Sequence, residues 1–548
     1  MPSTPTTKSQ VQAYQFVLRR MQSALVRRDA VMLHDPMRTH TRATIVGVVL
    51  AGLGMVVFIV WGLLNPQPAV PNSGSIVIGE QSGTVYVVAG NPKQLIPTFN
   101  LASARLLLLA QQQKQQSSAQ GSGATTAPAA PATNAAVNVV NPTVVSDEQL
   151  KNIPRGRLTG IPDGPQLIPT DSQRISANWA VCDQVHLDPS QPVQDAANRT
   201  DTYVFGGLPV DQLGRELGVN EALLAKADNN KTYLVYRLPN TPNRPNANTV
   251  RAEVDLGDNN AVTSALKLPD KARKISQGLL NAIPEQPKLA APKITGAGDS
   301  APGDFDGLVV GDVFSTQPTG GTPDYWAITK TGIQKVSSAV ADIMRVAKNG
   351  GASRLKTLGL DKLRQARLLE PQDEGYLKVD DFPQSVPTVL DATQGTPVAC
   401  LGWSLVGDQN APDAHTSVYV ASLPPGPKDG NGNSTALQLK TAGPNGVPVT
   451  GFYLQPGFAA VVQSANGAKE SFGRGSIELI SDRGIRYGVP DSATANAIGL
   501  GNRLPAPESI IGLLPTGASL NTQDVLREFD SVQIAGATPS ATQQASGN

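Results

Sequence analysis

Charge of one sign is what this chain has least of: 45 Lys and Arg stand against 44 Asp and Glu, a formal net charge of +1 over 548 residues. That balance lacks the basic footprint of a nucleic-acid binder and predicts no nucleic-acid partner. Histidine is scarce, and His34, His40, His186 and His415 show neither H-E-x-x-H spacing nor a triad-like setting. No G-x-x-x-x-G-K-[ST] occurs, so no phosphate-cradling P-loop is written here, and GPNGVP and ANGAKESFGRGS read as turns. Asp429, Asn431 and Asn433 begin like a calcium loop, but Ser434 replaces the required Gly and Lys440 the required Glu, so that reading fails. Asp304 and Asp306 read as a solvated turn. No catalytic constellation, cofactor site or metal set emerges.

What the chain does have is one long apolar run, Ala43 to Leu64, free of charge throughout. As a helix it spans roughly 33 Å, enough for a hydrocarbon core of about 30 Å. Before it lie Lys8, Arg19, Arg20, Arg27, Arg28, Arg38 and Arg42 against Asp29 and Asp35; the far flank carries Glu80 and no nearby Lys or Arg. Short basic flanks stay cytoplasmic, so Arg19, Arg20, Arg27, Arg28, Arg38 and Arg42 set an N-in topology, with about 480 residues translocated. A cleaved signal peptide is the competing reading, but the apolar run and the basic region are both too long and no A-x-A site follows. Gly47, Ala51, Gly52 and Gly54 lie among bulky residues and give the span a face for close helix packing.

In the basic arm, Val11, Tyr14, Leu18, Met21 and Leu25 recur at 3–4 spacing, with Arg19, Arg20 and Arg27 off the seam. Two readings stand side by side: an interfacial helix lying on membrane lipid, and a docking helix for a cytoplasmic partner. Beyond the span, Cys182 and Cys400 are the only cysteines. In an oxidising compartment such a pair is most simply a disulfide; the alternative is a metal site, since His186 follows Cys182 by four residues and His415 lies after Cys400.

Residues 110–140 form a Gln/Ser/Ala/Pro/Thr tract read as a linker, with shorter loops at 238–248 and 426–433 and a frayed tail at 537–548. Segments from Gly83, Asp324 and Ser476 share one grammar: β-rich run, Gly-containing turn, short strand, helix. A divergent fourth begins at Thr232, and Gly-led apolar runs such as GSIVIG, GLVVGDVF and GFAAVV precede the copies. One supersecondary unit used several times implies stacked or radial modules. The expected fold is a single-pass membrane protein. Residues 1–42 are a cytoplasmic amphipathic arm, 43–64 a transmembrane helix, 65–109 a first repeat and 110–140 a linker. Residues 141–536 are an α+β extracytoplasmic domain of β-rich pseudo-repeats, elongated or propeller-like, and 537–548 a tail.

Several stretches, in order, resemble the EccB family of actinobacterial ESX (type VII) secretion systems. They are TTKSQVQAYQFVLRR and ALVRRDAVMLHDPMR before the membrane, then FNLASARLL, NWAVCD, QGLLNAIPE, TGIQKVSSAVADIMR, CLGW, and RYGVP followed by AIGLG. The likeness covers nearly the whole length; Gly160 to Pro165 reads GIPDGP where the family has G-I-P-G-A-P, and the low-complexity insertion is longer than the family's. The resemblance implies a plasma-membrane complex with EccC, EccD and EccE and with further EccB copies, hexameric, with its translocated domains assembled on the periplasmic side. It also implies a bond between Cys182 and Cys400 and a MycP-type protease as neighbour. Family members are called ATPases, a label that no motif in this chain supports physically. The function expected is a structural core component of the export machine; the alternatives are an ATP-hydrolysing subunit of that machine and a cell-wall-binding envelope module.

Overall fold

The structure, a computed structural model, describes residues 7–27, 36–64, 69–120, 139–187, 190, 197–240, 248–257, 260–351, 355–408, 412–430, 434–466 and 469–530. Helices α1 (Lys8–Arg27) and α2 (Pro36–Leu64) form one unit, residues 1–70. A mixed α+β domain makes up a second unit, residues 71–548.

That domain opens with an antiparallel meander, β1 (Ser75–Gly79), β2 (Val85–Ala89) and β3 (Gln94–Thr98). After α3 (Leu101–Gln120), β4 (Thr143–Val145) pairs in parallel with β1. Two long strands, β5 (Trp179–Leu187) and β6 (Ala197–Gly206), run antiparallel. The first order then recurs as β7 (Glu221–Lys226), β8 (Thr232–Arg237), β9 (Thr249–Val254), α4 (Ala261–Ala265) and β10 (Arg273–Lys274), with β10 parallel to β7. A short helix, α5 (Gln277–Ala282), follows. The order recurs in β11 (Val313–Thr316), β12 (Asp324–Ile328), β13 (Ile333–Val336), α6 (Ser338–Asn349) and β14 (Lys356–Leu358). Strands β15 (Val398–Val406) and β16 (Asp413–Ala421) form the next antiparallel pair. Last come β17 (Ala459–Ala465), β18 (Ile477–Ser481), β19 (Arg486–Val489), α7 (Ser492–Ala497) and β20 (Leu504–Pro507), with β20 parallel to β17, and then α8 (Glu508–Ile511).

Local chemistry explains why a helix starts after each meander. A short polar side chain precedes each one and accepts a first-turn backbone N–H, which would otherwise lack a partner. Asn100 takes Ser103 N at 2.8 Å, Asn260 takes Val262 N at 2.8 Å, Ser337 takes Val340 N at 3.2 Å, and Asp491 takes Thr494 N at 2.7 Å. α6 ends at Gly350, whose left-handed φ of 59° closes the helix without a Cβ clash.

The helices pair the modules. Arg105 on α3 donates to Ile498 O at 2.7 Å, and one core holds Leu106 and Leu107 with Leu479, Ala495 and Ile498, joining the first module to the last. A second core sets Val262 and Ala265 of α4 against Ala339 and Ile343 of α6, joining the middle two. Between the pairs lies a seven-stranded sheet, ordered Leu437–Gln438, Gly451–Tyr453, β6, β5, β15, β16, Arg215–Glu216. One face of it, with Trp179 and Trp403, shares the largest core with Leu223 and Val235 on one side and Val462 and Ile480 on the other.

The propeller-like alternative is corrected here: the described residues form separate open sheets, with no closed barrel or propeller. In each module the fourth strand returns in parallel after a helix, and that helix covers a sheet face that a neighbouring blade would need. α3 runs on to Gln120, through the first eleven residues of the tract read as linker, and the first module's last strand, β4, lies beyond that tract. Residues 121–138 and the tail at 537–548 lie outside the described residues.

Candidate functional site: membrane segment and stapled central sheet

Cys182 on β5 and Cys400 on β15 are register partners in adjacent antiparallel strands, and a disulfide joins them. Both are fully buried. The bond links the strand that leads into the middle two modules to the strand that leads out of them, enclosing 218 residues of sequence separation. With both thiols in this bond, the metal alternative loses its sulfur ligands. His186 instead places Nε2 2.8 Å from Asp201 Oδ2, and His415 stands opposite Ser404 on β16.

Next to the staple is a buried polar group that no sequence signal marked. Asp183, almost completely buried, accepts from Ser276 N at 2.6 Å, Ser276 Oγ at 2.8 Å and Thr202 Oγ1 at 2.8 Å. Ser276 is also the N-cap of α5, so one carboxylate fixes β5, β6 and that helix together. Nearby, Arg273 donates to Thr396 O and Pro397 O at 3.2 and 3.0 Å, gripping the backbone just before β15. Burial raises the Asp183 pKa despite those donors and pushes the Arg273 guanidinium down to about 10. The sign for stability follows by linkage. The folded state holds the Asp183 proton more tightly than the unfolded state does, so this group's contribution is full below the unfolded carboxylate pKa and is lost as pH rises through the folded one. Relative to Asp183→Asn, the wild type is therefore expected to lose stability as pH rises through that window. Urea midpoints of both proteins across pH check this; a gap that does not change with pH contradicts it.

In the first unit, α2 contains the expected apolar run, and His40–Gly62 is the one candidate membrane span among the described residues. A Cβ built on Gly47, Gly52 or Gly54 meets nothing within 4 Å among the described residues, and Ala51 is exposed. On α1 the apolar seam Val11, Tyr14, Leu18, Met21 and Leu25 is exposed throughout, as are Arg19 and Arg20, and Arg27 is the last residue of the helix. Arg38 and Arg42 fall within α2, and Arg28 lies outside the described residues. Asp304 and Asp306 sit in an exposed turn, both paired with Lys362 Nζ, at 3.1 and 2.9 Å.

Among the described residues, one helix long and apolar enough to cross a membrane and a large mixed α+β domain stapled through its central sheet define the class: a protein with one candidate membrane helix and a separate folded α+β unit. Residues 3–534 match the family model described as type VII secretion system ESX-1, transport TM domain B. The chain belongs to this family, the EccB family. It is 30% identical over 538 residues to the ESX-3 secretion system ATPase EccB3 of Mycolicibacterium smegmatis, covering 96% of this chain and 91% of the relative. It is 27% identical to the ESX-1 secretion system ATPase EccB1 of the same species, covering 99% and 98%. Among solved structures, it is similar to a chain of an intact ESX-5 inner membrane complex, with TM-score 0.62, 25% identity and 99% coverage of both chains. It is also similar to an EccB3 dimer from the ESX-3 core complex, with TM-score 0.60, 26% identity and coverage of 83% and 100%.

Proposed function

We propose that this chain is a structural core component of an ESX-type protein export machine in the plasma membrane. The observation that carries this reading is the end-to-end likeness to a chain of an intact ESX-5 inner membrane complex. Arg19, Arg20, Arg27, Arg28, Arg38 and Arg42 hold the arm on the cytoplasmic side, and the α+β domain stands on the periplasmic side. The four meander–helix–strand units are pseudo-repeats of one module and form the periplasmic part of the assembly. Val11, Tyr14, Leu18, Met21 and Leu25 are a docking face at the cytoplasmic end of the chain. Gly47, Ala51 and Gly54, at steps of four and three, seat a neighbouring membrane helix, and Gly52 allows a close approach on a different side of the span. The components it assembles with are further copies of itself and the EccC, EccD and EccE subunits, with a MycP-type protease as periplasmic neighbour.

An arginine placed at Gly52 tests the anchor. Gly52→Arg is expected to cost about 2.5–3.5 kcal/mol of insertion and to reduce recovery of the assembled complex from membranes. Unchanged integration and assembly would remove the anchor assignment. A second reading, nucleotide hydrolysis, rests on the word ATPase in the names of the relatives. The sequence has no P-loop to support it, and phosphate release by the purified chain is expected to equal that of a mock preparation.

A further inference from the structure

We propose that the docking face of α1 binds the anionic surface of the bilayer that α2 crosses, so that the arm lies in the plane of the membrane. This deepens the reading of the arm given above and rests on it. At about 100° per residue, Val17, Met21, Tyr14, Leu25, Leu18 and Val11 fall in an apolar arc of roughly 120°. All six are exposed, Leu25 to 82%. Nothing in the described arm buries them.

The charge pattern selects the occupant. α1 carries Lys8, Arg19, Arg20 and Arg27 and no acidic residue. On the helical wheel Lys8 and Arg19 lie toward one border of the apolar arc and Arg20 toward the other. From those borders long cationic side chains reach phosphate while their stems stay with the acyl chains. Had the face been built for a second copy of the same helix, two sets of four cations would be brought together with no acid to offset them.

Tethering supplies the rest. Eight residues, 28–35, separate α1 from α2. Fully extended they reach roughly 30 Å, so the arm never leaves the neighbourhood of the bilayer that holds α2. A face too weak to bind lipid from solution docks at such an effective concentration. α1 itself is about 30 Å long, which lets the whole apolar arc lie along the interface.

The two native cysteines are buried in their disulfide. A single introduced cysteine can therefore be labelled without competition. The full chain carrying Met21→Cys (inside the arc) or Gln12→Cys (opposite it) is labelled with an environment-sensitive dye and reconstituted in nanodiscs. In phosphatidylglycerol nanodiscs the Met21→Cys dye is expected to shift to the blue and to be quenched several-fold more by nitroxide lipid than the Gln12→Cys dye. Pure phosphatidylcholine, high salt, or Arg19→Gln/Arg20→Gln/Arg27→Gln is expected to reduce that contrast, the triple variant lowering the docked-to-free ratio on the order of a hundredfold at low salt. Equal quenching at both positions overturns the proposal, as does protection insensitive to lipid charge or protection that appears only with two copies per disc or with another membrane component added. Because both leaflets of a nanodisc are alike, these outcomes do not depend on the N-in topology. That reading is tested separately by an impermeant thiol reagent applied to intact cells carrying the same variants, and it fails if the arm is labelled from outside.

Discussion

Replacing Cys182 and Cys400 with serine is expected to lower the stability of the α+β domain by about 5 kcal/mol, the chain-entropy cost of releasing a loop of 218 residues. The position of the bond makes the loss large. Register pairing in the central sheet already places the two strands side by side, so the bond acts mainly by denying the unfolded chain its freedom. The enclosed loop contains two of the four modules, which share a core with each other and, through Leu223 and Val235, with the central sheet. The single and double variants share one lost bond. Cys182→Ser, Cys400→Ser and the double variant should therefore fall by similar amounts in denaturant unfolding of the purified chain. Losses that simply add would mean the two sulfurs act in separate sites. Cys→Ala versions separate the bond from the cost of burying a new hydroxyl.

The second large effect lies in the last module, where Arg486 and Glu478 are both buried. Arg486 Nε and Nη2 meet Glu478 Oε2 and Oε1 at 2.7 and 2.6 Å, and Nη1 donates to Ile511 O at 3.1 Å. The fork thus ties β18 and β19 to the end of α8. Arg486→Met leaves an unpaired carboxylate in the core and is expected to cost about 3–5 kcal/mol. Glu478→Leu should cost less, because Arg486 Nη2 keeps a second carboxylate partner, Glu508 Oε1, at 3.3 Å. The double variant Arg486→Met/Glu478→Leu should regain most of the loss, because two apolar side chains can fill the space of the pair without a desolvation penalty. A double-mutant cycle on unfolding free energies reads this directly. A double variant as unstable as the sum of the singles would show that the pair matters through packing alone.

The parts of this fold legible in the sequence are those with strong local signals. The uncharged run Ala43–Leu64 lies wholly within α2. The run GSIVIG contains β1, GFAAVV begins β17, GLVVGDVF reaches only Val313 and Phe314 of β11, and the segments from Asp324 and Ser476 contain two strands and a helix each. What closes each module was not legible. The return strands TVV, RK, KTL and LPAP are too short to show a period, and their parallel pairing depends on partners far away in the chain. Low complexity favours a loop over Ala110–Gln120, whereas the chain there continues α3. The N-terminal half of α3 is anchored by buried Leu106 to Ala110, and a chain rich in Gln, a good helix former, continues a helix once begun. The Asp183 cluster was invisible for a different reason: Asp183, Thr202 and Ser276 meet only after three elements have packed.

Affinity purification of the tagged full-length chain from its native membrane in mild detergent, with mass determination and identification of what co-purifies, tests the central claim most directly. The account predicts a high-mass particle containing several copies of this chain together with the other ESX membrane components, lost when Gly52 is replaced by arginine. Recovery of the wild-type chain as a monomer with no such components would contradict it.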